Sequence, residues 1–315
     1  MASASPLAGK LVTLIGGSGF IGSLIAQHLL ERGARVRIAA REPEKAFKLK
    51  PLANLGQIQF ARCNVKDARS VEACVQGSDA VAYLVGTFGS DQRQLQVIGA
   101  GKAAEAANAT GANAFLYMSA IGADAEKDTG YFRTKGEGEQ LVLGTFPKAT
   151  IMRPSGVFGE QDGFVPLFAD LVAMMPVVPV FGPESKLQPV WVDDLATACV
   201  NALENPGKHG GKTFEATGPD ALTMMQINEM IADAQGRDRM FMPMPGPIAK
   251  VIAALPLTPI NSDQYAMLEE GSVATKGAAQ ISKLGVEPKP LSLFLGRWMV
   301  RYREKGRFGE KRAAN

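Results

Sequence analysis

The chain holds only two histidines, His28 and His209, among 315 residues. A Ser-His-Asp relay or a histidine-rich metal centre is very hard to build from so few imidazoles, and no metal site is expected. Cysteine is almost as scarce: Cys63, Cys74 and Cys199 show no CxxC spacing. That pattern argues against a disulfide framework or a zinc site and fits a reducing compartment. Long apolar runs are missing too. The nearest approach, from Met240 to Ile260, contains five prolines and one lysine, so no transmembrane helix is expected. The opening MASASPLAGK has no apolar stretch of the kind a signal peptide needs. His28 falls within the first helical pattern and reads as structural. His209, in NPGKHGGK, reads as a loop residue.

What is present is ample apolar material, 46% of residues, enough for a large core in one or two domains. The first half alternates two patterns. Strand candidates are Leu11–Ile15, Arg35–Ala39, Gln57–Ala61, Ala80–Val85, Ala114–Met118 and a sixth opening at Thr150. Helical spacing covers Phe20–Glu31, Val71–Val75, Leu95–Ala109 and Tyr131–Leu143. Such alternation predicts right-handed βαβ units and a doubly wound, Rossmann-like α/β parallel sheet. After Arg153 prolines and glycines multiply. Helices remain at Asp193–Leu203 and Met224–Ala234, with a strand at Lys212–Ala216. The expected division is therefore a nucleotide-binding domain over 8–153 and a smaller α+β substrate or partner region over 154–315, set at the sheet's carboxyl edge, where open α/β sheets bind ligands.

The loop after the first strand reads GGSGFIG, residues Gly16, Gly17, Ser18, Gly19, Phe20, Ile21 and Gly22. It follows an apolar strand and opens an amphipathic helix, the context in which a glycine pattern binds a dinucleotide. Gly16 permits the turn, Gly19 admits a pyrophosphate, and Gly22 allows close packing of helix on strand. Cofactor choice falls about 20 residues on. There the second strand closes on Arg41, with Arg37 nearby, rather than on an acid. A guanidinium suits a 2′-phosphate, so NADP(H) is favoured over NAD(H). The alternative is that Glu42 takes the ribose. Val85 and Gly86 at the end of the fourth strand, and Pro154 in the sixth, complete the expected cofactor contacts. Asp67 is also a good N-cap for the next helix.

GYFRTKGEGE sets Tyr131 and Lys135 four residues apart, on one helix face. A nearby ammonium favours a phenolate, which lets a tyrosine exchange a proton with a carbonyl or hydroxyl. Lys135 also suits the nicotinamide ribose. Ser119, in FLYMSAIGA, is the candidate third member of a catalytic set.

The GxxGxxG spacing resembles the extended and atypical short-chain dehydrogenase/reductase families. GGSGFIG, LGQIQFARCNVKDARSV, YFRTKGEGE, ATIMRPSGVFGEQDGF, QPVWVDDLATACVNAL and KTFEATGP together resemble the nucleotide-binding accessory subunits of mitochondrial respiratory complex I and their bacterial relatives, over roughly residues 10 to 220. This resemblance implies tightly held NADPH, an adenine contact by Asp67, docking on a membrane complex near its quinone entry, and a nucleotide that serves structure rather than turnover. It also implies a link to ubiquinone biosynthesis among bacterial members. The absence of an Arg-rich leader raises the expectation of a bacterial chain, cytoplasmic or peripheral on the inner face of the energy-transducing membrane. Retention of Ser119, Tyr131 and Lys135 keeps a second reading open: an NADPH-dependent reductase of a small carbonyl or quinone-like substrate.

Charge is uneven. From Arg297 to Arg312 there are seven basic residues against two acidic, a net +5 in a chain of net +3. Leu291, Phe294, Leu295, Trp298, Met299 and Tyr302 recur at helical spacing beside a stripe of Arg297, Arg301 and Lys305. Such a helix either lies on an anionic membrane or partner, joined by the methionine-rich segment from Met240, or packs in its own core.

Overall fold

The computed structural model describes residues 5–160, 162–254, 262–304 and 306. β1 (Leu11–Ile15) is apolar save for one threonine and buried at every position, as suits a central parallel strand. The glycine loop leads into α1 (Phe20–Glu31), which ends before Gly33 at φ +79°. β2 (Arg35–Ala40), β3 (Ile58–Arg62), α2 (Ala68–Val75), β4 (Ala80–Tyr83), α3 (Gly99–Ala109), β5 (Ala114–Met118), α4 (Gly130–Thr145) and β6 (Thr150–Pro154) follow. Next come β7 (Val157–Phe158), α5 (Val165–Met174), β8 (Val177–Val180), β9 (Lys186–Leu187) and β10 (Val190–Trp191). Then follow α6 (Val192–Glu204), α7 (Pro206–His209), β11 (Thr213–Ala216), β12 (Leu222–Thr223) and α8 (Met224–Gln235). β13 (Met240–Pro243), α9 (Gly246–Ala254), α10 (Ser262–Glu270) and α11 (Ser292–Trp298) complete the order.

Seven strands form one sheet in the order β11-β6-β5-β4-β1-β2-β3. All six pairings are parallel. This is a Rossmann-like α/β sheet whose strand order reverses between β1 and β4, the point at which such sheets bind ligands. The glycine loop stands at that point.

The chain forms two compact units, and their boundary corrects the division expected from sequence. The first comprises Met1–Pro154, Val192–Ala216 and Thr275–Glu287; the second comprises Ser155–Trp191, Thr217–Ala274 and Pro288–Asn315. A single cut at 153/154 misassigns two returning segments. α6 returns because it packs on α1, with His28 Nε2 2.7 Å from Asp193 and Arg32 2.6 Å from Glu204. β11 returns because it extends the sheet beside β6. His209 ends the short helix α7 rather than lying in a loop, and its ring meets Phe214 edge-on at 5.7 Å.

The helix expected from Leu95 begins instead as a wide π turn over Arg93–Ile98. Buried tyrosines stabilise it. The Tyr83 hydroxyl donates to the Leu95 carbonyl, and that of Tyr117 to the Gln96 carbonyl at 2.9 Å. α3 then passes so close that a Cβ on Gly99 would meet the Tyr83 hydroxyl at 2.5 Å.

The second unit has three two-stranded sheets, β7 with β10, β8 with β13 and β9 with β12, and its own core. α8 opens with a reciprocal capping box between Thr223 and Gln226 and ends at Gly236, φ +69°. The C-terminal stripe is used here. Leu291, Leu295 and Met299 are buried in this core, with Phe294, Trp298 and Tyr302 packed against it. The stripe considered for a membrane thus covers the unit's own core, because α5 and α8 present apolar faces to it. α11 stops at Trp298 and a 3-10 turn, Met299–Tyr302, continues it. Lys305, Arg307, Lys311, Arg312 and residues 255–261 lie outside the described residues. No helix among the described residues is long and apolar enough to cross a membrane.

Candidate functional site

The loop after β1 is shaped by its own backbone. Gly16 sits at φ +89°, where a side chain is strained, and its N–H donates to the Ala39 carbonyl at 2.8 Å. A Cβ on Gly22 would stand 2.7 Å from the Gly17 Cα, so α1 packs on the loop only with glycine there. Gly19 differs. Its φ of −77° suits any residue, and a Cβ there would meet only the Gly16 carbonyl oxygen, at 3.4 Å. The fold does not require glycine at 19, whereas a phosphate approaching the backbone does. Gly19 is also the N-cap of α1 and offers no side chain to the helix's first N–H groups, those of Phe20, Ile21 and Gly22. This cradle fits a dinucleotide pyrophosphate. Ser18 is half-buried beside it.

At the end of β2, Arg41 is exposed and its carbonyl accepts from Arg62 Nε at 3.2 Å. Arg62 closes β3 in register with Ala40. Two guanidinium-bearing residues therefore flank this corner, and the sequence reading missed the second. Glu42 is engaged by Lys45, which holds its carboxyl below the usual range. Arg37 lies elsewhere: it donates to the Cys74 and Gln76 carbonyls at 2.7 and 2.8 Å and caps the end of α2. Asp67 is the N-cap of α2, accepting from the Arg69 N–H at 3.0 Å.

Along the carboxyl ends of β1, β4 and β5 the remaining residues meet. A Cβ on Gly16 would meet Val85 Cγ2 at 3.2 Å, and one on Gly86 would meet Lys135 Nζ at 3.6 Å. Lys135 is 2% exposed and donates to the Met118 carbonyl at 2.7 Å. Its ammonium lies 5.9 Å from the Tyr131 ring centroid. Burial pulls its pKa down to about 7, against the opposing pull of Glu139. Tyr131 packs against Phe88 at 4.8 Å and Phe132 at 5.7 Å. Burial pushes its phenol up to about 12. The phenolate expected from sequence is thus opposed by desolvation.

Ser119 is hydrogen-bonded to a residue outside this pair. Its hydroxyl donates to Glu139, whose carboxylate also takes Arg153 Nε at 2.8 Å and Nη2 at 2.6 Å. Ser119 and Glu139 are both buried. Glu139 and Arg153 were missed in the sequence, although Glu139 lies one helical turn beyond Lys135 and Arg153 precedes Pro154. Pro154 ends β6, and its carbonyl accepts the Ile121 N–H at 2.9 Å.

A profile of proteins described as NAD(P)H-binding matches residues 16–206. The chain belongs to that NAD(P)H-binding family. Among its relatives is the mouse protein NADH dehydrogenase [ubiquinone] 1 alpha subcomplex subunit 9, mitochondrial. It is 30% identical over 302 residues, covering 92% of this chain and 79% of the mouse one. The Arabidopsis thaliana protein of the same name is 29% identical, covering 96% and 80%. A Caulobacter vibrioides ceramide reductase matches at 26% over 200 residues, 62% of each chain. A nucleoside-diphosphate-sugar epimerase structure from Staphylococcus aureus superimposes with TM-score 0.74 at 15% identity, covering 91% of this chain and 99% of that one. At that identity the likeness speaks for the fold. This family member is thus an NAD(P)H-binding homologue of complex I subunits, with reductases as more distant relatives.

Proposed function

We propose that this protein holds NADP(H) at the β1/β4 edge and serves as an accessory or assembly subunit of respiratory complex I, with the nucleotide kept as a structural group. The observation that carries this reading is the commitment of Ser119 to Glu139, which is itself paired with Arg153. The site keeps a cradle for the nucleotide, while the hydroxyl expected to orient a substrate serves a part-buried ion pair. Identity with the mouse and Arabidopsis subunits over most of the chain supports the partner. The α1 N-terminus would take the pyrophosphate, Arg41 and Arg62 the 2′-phosphate, and Lys135 a ribose hydroxyl. Inner-membrane location follows from such a partner.

Gentle purification, solvent release and mass spectrometry of the bound nucleotide test this reading. One equivalent of NADP(H), retained and inert to quinones and carbonyls, is the expected result. Protein that arrives empty and oxidises NADPH with one of these acceptors would overturn it.

One observation favours a second reading, an NADPH-dependent reductase. Lys135 and Tyr131 share a face of α4, and an amine near pH 7 is poised to exchange protons. A bound nicotinamide supplies hydride transfer, and Tyr131 would then deliver the proton. Loss of turnover with retained binding in Tyr131→Phe would support it. The absence of wild-type turnover on a quinone and carbonyl panel would dismiss it.

A further inference from the structure

Arg297 near the end of α11 and Arg301 in the 3-10 turn after it have no part in the nucleotide site, and they line a cavity. Within the second unit a space of about 580 Å³ opens between the loop at Gly159 and Glu160, the start of α5 at Val165 and Pro166, and the face carrying Arg297, Trp298 and Arg301. That volume is typical of small-molecule sites. The rim is built. The Asp162 carboxylate accepts the N–H groups of Gly159, Phe164 and Val165 at 2.6, 2.8 and 2.8 Å, which fixes the loop against α5. One wall is built as well. The Trp298 indole stacks on Phe294 at 5.1 Å and 25°, and Phe294 rests on Trp191 at 4.6 Å.

The charges in this space do not balance. Among the described lining residues Glu160 is the one acid, against two guanidinium groups. The Arg297 guanidinium makes no hydrogen bond or ion pair among the described residues. Arg301 leans on Tyr302, 4.9 Å from the ring and 3.1 Å from the hydroxyl, a contact that brings no negative charge. Cations one helical turn apart beside an indole and a proline recognise two things together: an acid group and an apolar body.

We propose that this cavity binds an apolar organic anion, a carboxylate or phosphate ester whose acid group lies between Arg297 and Arg301 and whose body lies against Trp298 and Pro166. The inference is independent of the nucleotide reading. Trp191 and Trp298 are the chain's two tryptophans, so Trp191→Phe leaves Trp298 as the reporter. Full-length protein is titrated with decanoate, decanol and inorganic phosphate, and equilibrium dialysis of unmodified protein repeats the decanoate measurement without any substitution. Saturable decanoate binding, with decanol and phosphate each weaker, is expected. Arg297→Gln with Arg301→Gln should weaken decanoate by about ten- to a hundredfold, with an unchanged thermal unfolding midpoint as the check on folding. Decanol binding as tightly as decanoate, or no saturable binding, would overturn the proposal. A third arm uses phosphatidylglycerol vesicles. Vesicle binding that needs both arginines while free decanoate fails to bind would also overturn it, in favour of a membrane surface.

Discussion

Replacing Lys135 with methionine should make the nucleotide-free protein more stable. The amine is buried and loses its proton near pH 7 rather than near 10.5. In the unfolded chain it is charged at neutral pH, so folding at pH 7 costs about 4 kcal/mol at this one group. Methionine keeps the length and removes that cost, but it forfeits the hydrogen bond to the Met118 carbonyl, about 1 to 2 kcal/mol. The net gain is about 2 to 3 kcal/mol. Its pH dependence has a definite sign. Between about pH 7 and 10 the unfolded state binds more protons at this site than the folded one. Stability of the parent therefore rises with pH there, by up to about 1.4 kcal/mol per pH unit, and this rise is absent from the variant. Urea unfolding of both proteins at several pH values up to about 9.5 measures the difference, and groups common to both cancel. A variant less stable than its parent at pH 7, with a gap that does not change with pH, would show that Glu139 keeps the amine charged and that the reasoning is wrong.

Gly19→Ala should fold normally yet lose nucleotide, because its Cβ meets only one protein atom, at 3.4 Å; thermal unfolding and nucleotide content read both. Gly22→Ala should instead destabilise the protein by about 1 to 3 kcal/mol, since its Cβ falls 2.7 Å from the Gly17 Cα. Arg41→Ala with Arg62→Ala should weaken NADPH by about tenfold or more and leave NADH nearly unchanged, as calorimetry would show; equal losses would remove both residues from the 2′-phosphate. Glu139→Gln removes the carboxylate that Ser119 and Arg153 share and should cost about 1 to 2 kcal/mol in urea unfolding, because Arg153 is part-exposed and Glu215 and Asp124 still act on its charge.

Much of this was legible in sequence because local and long-range requirements coincide. β1 and β5 are short apolar runs bounded by turn residues, the pattern of strands buried on both faces, and their alternation with helical patterns points to a parallel sheet. The glycine loop announces itself because Gly16 and Gly22 are required by backbone geometry. The fate of Ser119 was not legible. Its partner Glu139 lies 20 residues away and Arg153 comes from a third element, so only the folded chain shows where the hydroxyl turns. Arg37 and Arg41 read alike as candidates, yet one is drawn to carbonyls at the end of α2 and the other stands at the sheet's edge. The amphipathic spacing of Leu291–Tyr302 was real. Periodicity marks an apolar face, and what covers it depends on α5 and α8, more than 50 residues earlier in the chain.

The two units are interleaved along the chain, which crosses between them five times, after Pro154, Trp191, Ala216, Ala274 and Glu287. Synthesis is vectorial, so the ribosome delivers β1 to β6 well before α6 and β11. Until Ala216 emerges, α1 has no α6 to cover it and β6 is an open edge, a template for pairing with another chain. A nascent chain stalled near residue 154 is therefore aggregation-prone however complete its nucleotide loop. Within the cell the nucleotide unit should mature late, after most of its neighbour has been made.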